Sequence, residues 1–166
     1  MERKVVMKKL VLILVLTCLG FLGYTQTTKI YNPQANAEED IANAVKKASK
    51  EEKHVFLQIG GNWCPWCVKF HNFLEGNAEI KKYVNENFEV VKVNYDQKNK
   101  QEELMKKLGF PQRFGFPVFV VLDGNGNRIH TQNSAFLEKD KSYDQDKVLK
   151  FFKNWSQTAV SPDSYK

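Results

Sequence analysis

Cysteine is scarce in this sequence, three among 166 residues, and histidine and methionine are no commoner at three each. That scarcity narrows the metal chemistry. Structural zinc takes four ligands, and Cys64 and Cys67 with His71, one helical turn further on, fall short of the set. Covalent haem attachment needs a histidine immediately after the second cysteine, where Val68 stands. No cluster of arginine offers the forked geometry that phosphate groups favour, so nucleic acid is not an expected partner. No apolar run reaches the roughly 20 residues of a membrane span. The longest, Leu10 to Phe21, is interrupted by Thr17 and Gly20. Internal repeats and low-complexity tracts are missing as well.

What the chain does hold is 42% hydrophobic and 13% aromatic residues, which suits one globular domain with a core of ordinary size. The N-terminus carries Arg3, Lys4, Lys8 and Lys9, then the short apolar run, then Gly23-Tyr24-Thr25-Gln26. This order reads as a secretory signal over residues 1–25, cleaved after Thr25. An uncleaved anchor, and lipidation at Cys18 in the faint box Val15-Leu16-Thr17-Cys18, are the lesser alternatives. Removing residues 1–25 takes four of the 25 basic residues and one of the 19 acidic, so 21 stand against 18 and the formal charge is +3. Cys18 leaves with the signal. The exported chain keeps only Cys64 and Cys67, with no stable membrane insertion, in the periplasm or bacterial cell envelope, or secreted.

Periodicity lays out the rest. Residues 26–36 are polar and contain Pro33, which predicts a flexible arm, with a short strand at Lys29 to Tyr31. From Ala37, the positions Ile41, Ala44, Val45 and Ala48 follow helical spacing, behind the acidic first turn Glu38-Glu39-Asp40. His54 to Ile59 is a buried strand. Cys67, Phe70, His71 and Leu74 lie on one helix, and Ile80, Tyr83, Val84 and Phe88 follow a break at Gly76-Asn77. Phe88 to Asn94 alternates as a strand. Lys98 to Leu108 is predicted helical, stopped by Gly109. Pro117 opens an apolar strand, Asp123 to Asn127 turns it, and Arg128 to Thr131 returns. Val148, Phe151, Phe152 and Trp155 mark a last helix, and residues 158–166 read as a tail. A strand, helix, strand unit implies parallel pairing and the hairpin antiparallel, so the fold class is α/β with a mixed sheet and helices on both faces. Ligand chemistry is expected beyond the carboxyl ends of the parallel strands, where the two cysteines fall.

Three readings of Cys64-Pro65-Trp66-Cys67 compete. A stabilising bridge gains little, because a loop of four residues is worth only ~2 kcal/mol of chain entropy against ~4.7 kcal/mol for one near 100 residues. Copper, content with fewer soft ligands, could be carried by Cys64, Cys67 and His71. A catalytic dithiol needs the two sulfurs to differ. With a helix beginning at Cys64, unpaired N–H groups and the helix dipole favour its thiolate, Pro65 fits the first turn, and Cys67 lies one turn deeper. Cys64, open to solvent, then attacks or is attacked, and Cys67 resolves the mixed disulfide.

"WCPWC" after a buried strand, with "VVKVNYDQ" at 90–97 and "GFPVFVVLDGNGN" at 115–127, resembles the thioredoxin-like proteins, in particular the small exported type with a Trp-Cys-x-x-Cys site. The resemblance runs from about Glu38 to Trp155, inside a domain taken as 37–157. It implies a thioredoxin fold, nucleophile Cys64, resolving Cys67, and a cis bond at Phe116-Pro117 whose backbone pairs with an extended substrate. Asn133 to Phe136 would lie near the rim. Trp63, Pro65, Trp66, Phe116 and Pro117 are the substrate-binding candidates, with Trp63 taken as the partly buried packing residue and Trp66 as the outward contact. Two departures stand out. The buried acid of thioredoxin is here Gln58, which leaves Lys92 without its usual carboxylate partner, and Pro65-Trp66 looks more like the Pro-aromatic pair of glutaredoxins.

The function expected is therefore an exported thiol-disulfide oxidoreductase that reduces or isomerises protein disulfides, needing no cofactor and no metal. Its partners would be protein or peptide thiols and disulfides and an upstream electron donor, and it would act as a monomer. The alternative is a binding module of the same fold, either a copper chaperone or an adaptor for unfolded clients.

Overall fold

The computed structural model describes residues 29–166. The expected signal at 1–25 lies outside the described residues, as does the beginning of the arm. Among the described residues, no helix is long and apolar enough to cross a membrane.

Helix α1 runs Ala37–Lys50 and is capped by Asn36, whose side chain accepts the Glu39 N–H. A cap of this kind stabilises a helix by about 1 kcal/mol. Strand β1 is His54–Gly60, followed by α2 (Pro65–Gly76), α3 (Ala78–Asn87) and β2 (Phe88–Asn94). Asn77 ends one helix and caps the next, its side chain accepting from the Ile80 N–H. Then come α4 (Glu102–Lys107), β3 (Val118–Leu122), β4 (Arg128–Asn133), a two-residue pair β5 (Glu138–Lys139) and β6 (Ser142–Tyr143), α5 (Gln145–Asn154) and α6 (Gln157–Val160).

The sheet order is β2-β1-β3-β4, with β1 and β2 parallel and the other two pairings antiparallel. This is the expected mixed α/β sheet. Strand alternation sorts its side chains into two cores. Val55, Leu57, Ile59, Val91, Val93, Val118 and Val120 face α1 and α4 in an aliphatic layer. Phe56, Phe119 and Val121 face the other way, meeting Phe70 of α2, Ile80 and Val84 of α3, and Phe151 and Phe152 of α5. Phe56 sits at the centre of that aromatic layer, with the Phe152 and Phe119 rings 5.0 and 5.2 Å away.

Several boundaries differ from expectation. No strand forms at 29–31; Ile30 and Tyr31 instead give their backbone N–H groups to Asn62 Oδ1 at 2.9 and 3.0 Å. The helix predicted from Lys98 starts only at Glu102, because Asp96 Oδ1 collects the N–H groups of Lys98 and Asn99 and Gln101 takes a positive φ of 51°. The tail turns back on itself, with the Tyr165 hydroxyl donating to the Ala159 carbonyl at 2.7 Å.

Candidate active site

Along β1 the side chains of Phe56, Gln58 and Gly60 point to the α2 face, and the chemistry changes step by step from aromatic to amide to none. The last step is steric. A Cβ at Gly60 would collide with Cys67 Sγ and would lie 3.1 Å from the Tyr31 hydroxyl. Gly61 is fixed by a similar crowding, since a Cβ there would strike the Trp63 indole and lie 3.0 Å from the Tyr95 carbonyl. These two glycines let the chain leave the strand and turn within four residues into α2.

Cys64 is the N-cap of α2. Its sulfur accepts the Cys67 N–H at 3.2 Å, and Pro65 occupies the first turn, where a missing N–H costs nothing. A sulfur at this place sits against the positive end of the helix dipole, which favours the thiolate once the bond is open. Cys64 and Cys67 are joined as a disulfide, with Cα atoms 5.2 Å apart. Cys67 is wholly buried and Cys64 only 3% exposed. The expectation of a Cys64 open to solvent is corrected for this state: its sulfur is turned inward to Cys67 and Ile30, Trp66 and Phe116 pack around the pair. The order of depth still holds, with Cys64 the outer of the two.

The two tryptophans reverse their expected exposure. Trp63 is 55% exposed, its ring edge-on to Phe116 at 5.4 Å and its Nε1 donating to the Tyr95 carbonyl at 2.8 Å. Trp66 is the half-buried one. Its ring meets Tyr143 edge-on at 5.5 Å, its carbonyl accepts from the Tyr143 hydroxyl at 3.3 Å, and Lys69 Nζ lies 4.0 Å over it. Burial pushes the Tyr143 hydroxyl up from its ordinary pKa, so it remains a donor. The Phe116–Pro117 peptide is cis. Ile59 pairs with Val118, so continuing the register sets Pro117 across from Gly60, and Asn133 opposite Val118 closes the same end of the sheet. Phe136 projects nearby in sequence at 72% exposure. Trp63 also walls a groove of about 670 Å³ with Tyr95, Asp96, Gln97, Lys98 and Lys100.

Behind the disulfide, Gln58 is fully buried and donates from Nε2 to the Cys67 carbonyl at 3.1 Å. Lys92, the register partner of Gln58, reaches His71 on α2, with Nζ and Nδ1 3.0 Å apart. Burial lowers the pKa of both, and for His71 the nearby Lys92 charge adds to it, so the lysine donates to a neutral imidazole. His71 is thus engaged with Lys92 rather than gathered to the sulfurs, and among the described residues no group of three metal-ligating side chains assembles.

Sequence reasoning missed Tyr31 and Tyr143. Tyr31 is 1% exposed and packs on both cysteines. The signal for it was Asn62, a polar residue two positions before Cys64 with no role of its own in the motif. Tyr143 belongs to a hairpin too short to show a pattern.

A thioredoxin-like domain family matches residues 41–141, more than half of the chain. The chain is 28% identical over 116 residues to a disulfide bond reductase, DsbH, of Chlamydia pneumoniae, covering 63% of this chain and 70% of that protein. A crystal structure of a disulphide isomerase from Xylella fastidiosa superposes with a TM-score of 0.68 at 25% identity, covering 76% of this chain and 95% of that one. A thioredoxin from Thermus thermophilus shares the fold at a TM-score of 0.53 and 20% identity, over 72% of this chain and 85% of its own.

Proposed function

The chain belongs to the thioredoxin-like domain family, and from that premise we propose that it is an exported thiol-disulfide oxidoreductase that reduces or isomerises protein disulfides. The observation that carries the reading is the placement of the bridge: a four-residue disulfide at the N-terminus of α2, one sulfur capping the helix and the other one turn deeper. A loop this short adds little stability, so its use lies in opening and closing. The names of two relatives, a disulfide bond reductase and a disulphide isomerase, point the same way.

In the reduced protein, the Cys64 thiolate attacks one sulfur of a substrate disulfide R–S–S–R′. The Cys64–S–S–R bond forms, the R–R′ sulfur bond breaks, and R′–S⁻ leaves with the electron pair and takes a proton from water. Cys67, having released its proton, then attacks Cys64 Sγ; the intramolecular disulfide forms and R–S⁻ departs. Two electrons pass from the dithiol to the substrate, and an upstream thiol donor restores them by the reverse exchange. Cys64 is the attacked sulfur on return because Cys67 has no exposed surface.

Trp63, Pro65, Phe116 and Pro117 frame the outer sulfur and supply the contact surface for an extended, apolar substrate segment, while Trp66 supports that frame from beneath. Trp63 takes the contact role that the sequence gave to Trp66. The basic, apolar and small-residue order of residues 1–25 supports export, and with it a location in the cell envelope. Insulin reduction in dithiothreitol tests the proposal. The wild type accelerates precipitation of the insulin B chain, and Cys64→Ser falls to the uncatalysed rate. A wild type no faster than dithiothreitol alone contradicts it.

A further inference from the structure

Among the described residues, three buried side-chain atoms have no hydrogen-bond partner: Tyr31 Oη, Gln58 Oε1 and Gln112 Oε1. Two of them adjoin Cys67. Gln58 bonds the Cys67 carbonyl through its other end, and the Tyr31 hydroxyl and Cys67 Sγ both crowd the position that a Cβ on Gly60 would take. An unpaired buried hydroxyl is costly, and phenylalanine would fill the same space without that cost. Tyr31 and Gln58 are neighbours without a well-formed bond between them.

The placement of Tyr31 is built rather than incidental. Asn62, in the turn that leads to Cys64, clamps its backbone with three hydrogen bonds: Oδ1 accepts from Ile30 N at 2.9 Å and Tyr31 N at 3.0 Å, and Nδ2 donates to the Tyr31 carbonyl at 2.8 Å. A residue outside the helix and strand framework is thereby locked to the loop that carries the outer sulfur.

We infer that the Tyr31 hydroxyl is a positioning donor that hydrogen-bonds the Cys67 sulfur when the disulfide opens, setting the balance between disulfide and dithiol and the rate of resolution. The inference rests on the redox reading of the site. A disulfide sulfur is a weak acceptor, whereas a thiolate carries a full charge and accepts strongly. The hydroxyl that lacks a partner in the closed state therefore gains one in the open state. Burial pushes the Tyr31 pKa up, so the group donates a hydrogen bond and does not act as a base.

The balance of the resolving step is unchanged by it. Cys67 releases its proton to water, its sulfur bonds Cys64 Sγ, the Cys64–S–R bond breaks, and R–S⁻ leaves with the pair and is protonated by water. Tyr31 keeps its own proton throughout and stabilises the charge that builds on Cys67 before attack.

Tyr31→Phe removes only the hydroxyl. Equilibrated in glutathione buffers at a pH where reduced Cys67 is ionised, the variant is expected to shift about tenfold toward the disulfide, or about 30 mV more negative, with a smaller shift where Cys67 is protonated. Resolution, read as release of the second thiol from a preformed Cys64 mixed disulfide, is expected to slow by about tenfold. A folded Tyr31→Phe protein with equilibrium and rate within about twofold of wild type, or shifted toward the dithiol, overturns the inference. Should Tyr31→Phe fail to fold, Asn62→Ala, which releases the clamp, decides in its place: the same direction of shift supports the inference and no shift overturns it. The glutathione equilibrium involves no protein substrate. A wild type inactive on insulin but tuned by Tyr31 would thus refute the proposed function alone, and an active one indifferent to Tyr31 would refute this inference alone.

Discussion

The two ends of β1 are both buried, yet they treat polar groups in opposite ways. At its start, His54 is 3% exposed and its Nδ1 lies 2.8 Å from the Trp155 carbonyl, so the side chain is satisfied and ties the strand to the end of α5. At its other end, among the described residues, Gln58 has one partner and one orphaned oxygen, and the Tyr31 hydroxyl beside it has none. Between them lies Phe56, which has no polar atom and is enclosed by four other phenylalanines. One strand therefore runs from a sealed structural end to an end left electrically unfinished, and the unfinished end is where the disulfide sits. Unpaired buried groups are costly, so their concentration around a bond that can open points to a site that is completed only in another oxidation state.

Breaking the sealed part has the largest expected effect. Phe56→Ala empties the centre of the aromatic layer and is expected to cost about 3–5 kcal/mol, read as a fall in the urea midpoint, with little change in the glutathione equilibrium of the cysteines. Gly60→Ala acts at the other end. Its methyl collides with Cys67 Sγ, so overpacking of about 1–3 kcal/mol is expected, heavier in the disulfide form than in the reduced form, where the sulfur can turn away. Comparing oxidised and reduced melting curves checks this, and equal losses in both would erase the contrast between the two ends.

The smallest effect is expected at the groove beside Trp63. The Asp96 carboxyl is held below its ordinary pKa first by the Asn94 side chain, then by the N–H groups of Asn99 and Lys98. A depressed carboxyl contributes its stability above the unfolded pKa of about 3.9 and loses it as pH falls through the lower folded value. Trp63 donates to Tyr95 in the same loop, so its emission should hold steady from about pH 7 to pH 5 and shift only below about pH 4. Asp96→Asn should display the shifted emission already at neutral pH.

Much of this contrast was legible before the fold was known. Phe88 to Asn94 and the two cysteines stand where periodicity and spacing set them, because a strand's alternation and a helix's first turn are local properties. Long-range bonds were not legible. Tyr31 is placed by Asn62 across 31 residues, and a polar stretch around Pro33 offers no local sign that it will be clamped. The reversal of exposure between Trp63 and Trp66 has the same origin. Trp66 is drawn inward by Tyr143, whose hairpin of two-residue strands carries no period, and Trp63 is held outward by the Tyr95 carbonyl. The start of α4 was set four residues too early because Asp96 captured amides that a helix would otherwise have used. Lys92, with no carboxylate at Gln58, reaches instead the imidazole of His71 on α2, a pairing 21 residues apart that neither segment shows alone.

The central claim is that the Cys64–Cys67 bond is a working redox couple and not a staple. Titration of the pair in buffers of defined potential, followed by the mass gained on alkylation, tests it most directly. A single two-electron transition between about −120 and −270 mV, the span of known dithiol catalysts, is the result predicted. A bond that stays closed below about −300 mV, as structural disulfides do, would contradict the account.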